Sequence, residues 1–75
     1  MPCVNPDGTL VSSARKILEA ARTAGLPADL AERSRLPLYR VHSALRELAD
    51  AGMVLEVDGR YQATEEGLGR LGAGP

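Results

Sequence analysis

The pair Asp58-Gly59 sits between two short runs, residues 53–57 and 60–64, that lack a helical period. A two-residue type I′ turn needs positive φ at both central positions, and Asp followed by Gly meets that need at low steric cost. The segment therefore predicts a β-hairpin. Such a turn fixes the register, setting Val57 opposite Arg60 and Val54 opposite Ala63. Val54, Tyr61 and Ala63 then share a face with Glu56 and turn toward the rest of the chain. Leu55 and Val57 lie on the other face. Upstream of Gly52 the apolar residues repeat at helical spacing instead, so the chain must join helices to one hairpin.

Three helices are expected before the hairpin. The first runs from Leu10 or Ser12 to Thr23, with Leu10, Val11, Ala14, Ile17, Leu18 and Ala21 on one face. Thr9 or Ser12 is positioned to cap its start, and Gly25 to end it in the left-handed conformation. Arg15, Lys16, Glu19 and Arg22 then point to water. The second helix starts at Pro27, whose fixed φ suits a first turn, with Asp29 favoured by the helix dipole. It turns Leu30 and Ala31 inward, carries Arg33 and Arg35 at its end, and is stopped by Pro37. The third covers residues 38–51, buries Val41, Leu45 and Leu48 with Ala44 at the edge, and ends at Gly52. Only residues 34–37 separate the second and third helices, which is helix-turn-helix spacing. After the hairpin, Thr64 can cap a short helix over residues 65–71 with Leu68 and Leu71 inward.

Size limits the chemistry. Seventy-five residues make one domain, with residues 1–8 as a flexible arm, 9–71 as the folded unit and 72–75 as a frayed end. The core must be aliphatic, because the chain has no Trp or Phe and only two Tyr. No apolar stretch approaches the roughly 20 residues of a membrane span. The first eight residues have neither a basic start nor an apolar run, so no signal peptide and a cytoplasmic location are expected. Cys3 is the single cysteine, and Cys3 with His42 is too small a set for a metal site. No Ser-His-acid or Cys-His set and no Gly-rich phosphate loop is present. The expectation is a binding protein, not an enzyme, with no cofactor and no small-molecule ligand.

In this setting residues 10–71 resemble the winged helix-turn-helix DNA-binding domains of bacterial transcriptional regulators, of the MarR and IclR kinds. Leu30-Ala31-Glu32-Arg33 is similar to the start of the helix-turn-helix, and residues 36–48 to the turn and recognition helix. Ala51-Gly52-Met53-Val54 is similar to the passage into the wing, and residues 61–67 to the passage into a closing helix. Pro37 departs from the Ser or Thr often found before the recognition helix in such proteins. The resemblance implies a mainly helical fold with a small β-hairpin: three helices, a two-stranded wing and a short closing helix.

The residues themselves point to the same use. Stepping 100° per residue from the buried face of the third helix turns Tyr39, Ser43, Arg46, Glu47 and Asp50 outward and sets Arg40 and His42 on the flanks. The N-terminal part of that face is polar or basic and the far end acidic. This suits a helix whose first turns enter the major groove. Four arginines and no acid lie between Arg33 and Arg46, although the whole chain has a net charge of −1. The remaining five basic residues are set against all ten acids. Tyr39, Ser43 and Arg46 are the candidates for base edges. Arg33, Arg35, Arg40 and Arg60 are the candidates for phosphates, with His42 beside them.

The expected partner is double-stranded DNA, read by a homodimer, because one recognition helix covers too few base pairs to select a site in a genome. The first helix, the closing helix with Leu68 and Leu71, and the wing face with Leu55 and Val57 are the candidate contacts between subunits. The resemblance ranks the terminal helices first. The competing expectation is a winged-helix module or adaptor that docks proteins and binds no DNA.

Overall fold

The computed structural model describes residues 11–72, so the arm at 1–8, Thr9, Leu10 and the last three positions lie outside the described residues. Three helices come first: α1 (Ser12–Ala20), α2 (Pro27–Ser34) and α3 (Leu38–Asp50). The strands β1 (Val54–Val57) and β2 (Arg60–Ala63) follow, and α4 (Glu65–Gly72) closes the chain. This is the winged helix-turn-helix arrangement: a three-helix bundle, a two-stranded antiparallel wing and a short closing helix. Helix α4 runs through Gly72, one residue past the expected folded unit. No described helix is long and apolar enough to cross a membrane.

The hairpin adopts the expected register, Val54 with Ala63 and Val57 with Arg60. Asp58 and Gly59 both take positive φ, 52° and 79°, as the turn requires. Val54 is buried, Tyr61 and Ala63 are half-buried, and Leu55 and Val57 face out. The core is aliphatic: Ala14, Ile17, Leu18 and Ala21 of the first segment pack with Leu30, Val41, Leu45, Leu48, Met53 and Leu71. Thr64 caps α4 by accepting the Gly67 N–H at 3.1 Å, and its own hydroxyl donates to the Gly52 carbonyl at 2.7 Å. One threonine thus ties the closing helix to the end of α3.

Helix α3 stops as its sequence dictates. Gly52 takes φ +76°, the Met53 N–H reaches the Leu48 carbonyl at 2.8 Å, and the Gly52 N–H reaches Ala49 at 3.0 Å. This pair of bonds satisfies carbonyls that a helix end leaves free.

The start and end of α1 differ from expectation. Val11 occupies the N-cap position without a side-chain bond, so Ser12 is not the cap. The helix ends at Ala20 instead of Thr23, and Gly25 is not left-handed. The reason is the sheet. The Ala21 carbonyl accepts from the Ala63 N–H at 2.8 Å, and Gly25 exchanges two backbone bonds with Tyr61, at 3.1 and 2.8 Å. The loop after α1 is therefore tied to β2 by an isolated bridge at Gly25 and by the Ala21 carbonyl, and these bonds take the place of the last turn expected of α1. Arg15 also departs from its expected place. It is half-buried and donates to the Leu71 carbonyl at 3.1 Å, linking the first helix to the last.

Candidate nucleic-acid interface

The turn between α2 and α3 is three residues long. Arg35 adopts the left-handed conformation, φ 59° and ψ 36°, and the Leu36 N–H bonds back to the Ala31 carbonyl at 3.1 Å. A non-glycine residue there carries a steric cost that glycine avoids. Pro37 then takes the N-cap position of α3 in an extended conformation, with no side-chain cap. Its carbonyl accepts from Arg40 and Val41, and the amides of Leu38 and Tyr39 have no backbone partner among the described residues. Helix α3 therefore begins with free donors facing solvent.

Helix α3 divides as its periodicity demands. Val41, Ala44, Leu45 and Leu48 are buried. Tyr39, Arg40, His42, Ser43 and Arg46 are exposed, Tyr39 to 72% of its surface. Leu38, 45% exposed, joins Tyr39 at the head of the helix.

The arginines fall into two groups. Arg15 is held by the Leu71 carbonyl. Arg22 pairs with Glu19, and their hydrogen bond holds the Glu19 carboxyl below its ordinary range and raises the Arg22 guanidinium. Arg33 donates through Nη1 to the carbonyls of Ala20 and Thr23, at 3.1 and 2.8 Å, closing the end of α1. By contrast the guanidinium groups of Arg35, Arg40, Arg46 and Arg60 make no hydrogen bond or ion pair among the described residues. Of the sequence candidates, Arg33 thus has a structural task, and the other arginines are uncommitted.

Among the described residues, concavities lie between α1 and α2 and on both faces of the hairpin. A hollow between α1 and α2 is lined by Lys16, Arg22, Arg33 and Arg35, with Glu19 as its acid. A cleft between α3 and the inner hairpin face brings His42 and Arg46 together with Asp50, Glu56 and Tyr61. A groove on the outer hairpin face is lined by Leu26, Leu55 and Val57, with Asp58 and Arg60. The structure therefore gathers Tyr39, Arg40, His42, Ser43 and Arg46 on α3 and sets Arg35 against the α1–α2 hollow. Arg60 shares the opposite hairpin face with Val57, its cross-strand partner.

Two features escaped sequence reasoning. Lys16, by helical period one more residue of a solvated face, shares a hollow with Arg33 and Arg35. Glu56 of β1 shares a cleft with Arg46 of α3. The first depends on how α1 packs on α2, the second on how α3 packs on the hairpin. Neither a protein-family model nor a curated protein sequence matches the chain.

Proposed function

We propose that this chain is a sequence-specific double-stranded DNA-binding protein, a small bacterial transcriptional regulator acting in the cytoplasm, with α3 lying in the major groove. The observation that carries the reading is the uncommitted basic face: Arg40 and Arg46 project from α3, and Arg35 from the turn before it, their guanidinium groups without partners among the described residues. Arg22 and Arg33, by contrast, are tied to neighbouring groups. Free guanidinium groups on an exposed helix suit phosphate oxygens and the acceptor pair of guanine. Tyr39, Ser43 and Arg46 reach base edges in this reading. Arg35 and Arg40 neutralise phosphates, and His42 lies at the flank. Selection from random duplexes at low salt tests it: enrichment of a defined site is the expected result, and no enrichment rejects the reading.

The reading includes a homodimer on DNA, with the outer hairpin groove as the proposed contact. The apolar residues of the terminal helices are used internally: Ala14, Ile17, Leu18 and Leu71 are in the core, and Leu68 packs against it. Leu26, Leu55 and Val57 are 43%, 61% and 60% exposed and line one groove. That groove, and not the terminal helices ranked first from sequence, is the better-suited contact.

The same apolar groove favours a second reading, a protein-docking module without DNA. Salt titration separates the two. Phosphate neutralisation releases counterions and makes binding fall steeply with salt. A docking module shows no such binding to random duplex and purifies with one stable partner.

A further inference from the structure

We infer that DNA docks asymmetrically on this domain: the phosphate backbone flanking α3 runs over the α1–α2 hollow, with Lys16 as a contact, and is excluded from the α3–wing cleft by Asp50 and Glu56. The inference rests on the DNA-binding reading and goes further by assigning which side of α3 carries the backbone.

Two independent observations bear it. At the turn that leads into α3, Lys16 of α1 and Arg35 at the end of α2 line a common hollow, and neither side chain has a hydrogen-bond or ion-pair partner among the described residues. The hollow's one acid, Glu19, is already neutralised by Arg22. By contrast, the cleft between α3 and β1 is lined by His42 and Arg46 but also by Asp50 and Glu56. Both carboxylates are exposed and without a partner among the described residues. A phosphate entering there meets two carboxylates against the one guanidinium of Arg46, a net negative charge within a Debye length of about 8–10 Å. A phosphate at the hollow meets two uncompensated positive charges.

The wing adds nothing to offset this. Its basic residue, Arg60, is on the outer hairpin face, where it lines the groove with Leu26 and Val57 and not the cleft with Arg46. The inner face presents Glu56 and Tyr61 to α3 instead. Asp50 and Glu56 therefore act on specificity by repulsion: they deny the backbone one side of the helix and so fix how α3 sits in the groove.

The test is a salt titration of binding to a short random-sequence duplex by the wild type, Lys16→Gln, the Asp50→Asn/Glu56→Gln double variant, Arg60→Ala and Glu66→Gln. All five positions are exposed, and thermal melts confirm folding. Lys16→Gln is expected to weaken binding several-fold and to lower the slope of log affinity against log salt by about one. The double variant is expected to bind roughly three- to tenfold more tightly at low salt and to converge on the wild type at high salt. Glu66→Gln, on α4, changes overall charge without touching the cleft and is expected to leave binding unaltered. An unaltered double variant, one matched by Glu66→Gln, or a larger loss in Arg60→Ala than in Lys16→Gln overturns the inference while leaving DNA binding intact. No binding by any of the five proteins overturns the DNA reading, and this inference falls with it.

Discussion

Gly67 of α4 lies directly against the carbonyl oxygen of Met53, so that a β-carbon built on Gly67 would overlap that oxygen and press on Leu18. The contact lets the closing helix pack against the start of the wing, where the Met53 carbonyl also accepts from the Thr64 N–H at 2.9 Å. Gly67→Ala must displace backbone. It is expected to destabilise the fold by about 1–3 kcal/mol, the usual cost of overpacking. Gly69, two residues on in the same helix, has open space around it. Gly69→Ala gains helix propensity and is expected to stabilise by about 0.5–1 kcal/mol. Urea denaturation of the two variants checks the pair, and equal effects would contradict the packing of α4.

Arg33 joins α2 to the end of α1 through the carbonyls of Ala20 and Thr23. Arg33→Ala leaves those carbonyls to water and is expected to cost about 1 kcal/mol, since the bonds are solvent-exposed. The slope of duplex binding against salt should change less than in Arg40→Ala. Parallel melting and binding measurements separate these effects.

Arg35 occupies a left-handed position that glycine fills more easily. Arg35→Gly is expected to stabilise the fold by up to about 1 kcal/mol by removing the Cβ clash. The same change removes an uncommitted guanidinium from the proposed phosphate face, so binding to every duplex should weaken. A variant that is more stable yet binds less well is the expected outcome of thermal melts and affinity measurements. Unchanged binding would remove Arg35 from the interface.

Arg46 and Arg40 are expected to fail differently. Arg46→Ala should cost about 1–3 kcal/mol at the selected site and relax the preference for one base, as loss of a bidentate guanine contact does. Arg40→Ala should weaken all duplexes alike and flatten the salt dependence. Comparing affinity for the selected site with that for random duplex distinguishes them.

Leu55→Lys places a charge in the outer groove with Leu26 and Val57. It is expected to leave the monomer folded, because Leu55 is 61% exposed, and to abolish the two-to-one complex on a selected two-fold site. Light scattering with and without that duplex reads the stoichiometry. A wild-type complex of one chain on a site lacking two-fold symmetry would remove the dimer from the proposal.

The order of elements, the hairpin register, the Gly52 stop and the buried face of α3 were legible in the sequence because each depends on local rules. Asp58-Gly59 selects its own turn, Gly52 its own φ, and the spacing of Val41, Leu45 and Leu48 one helix face. These choices involve residues a few positions apart, and tertiary packing agreed with them. The division of the candidate residues was not legible. Arg33 and Arg35 are two positions apart in one basic run, yet one closes α1 and the other remains free. Gly25, suited by type to end a helix, instead pairs with Tyr61. Arg60 and Glu56 fall on opposite hairpin faces, and only the docking of α3 against the inner face decides which of them meets Arg46. Sequence by itself determined the elements and their polarity, because backbone geometry and side-chain period act locally. The tertiary structure alone decided which charges are spent within the fold and which face solvent, because hydrogen bonds and electrostatic fields depend on distances between elements that no local pattern encodes.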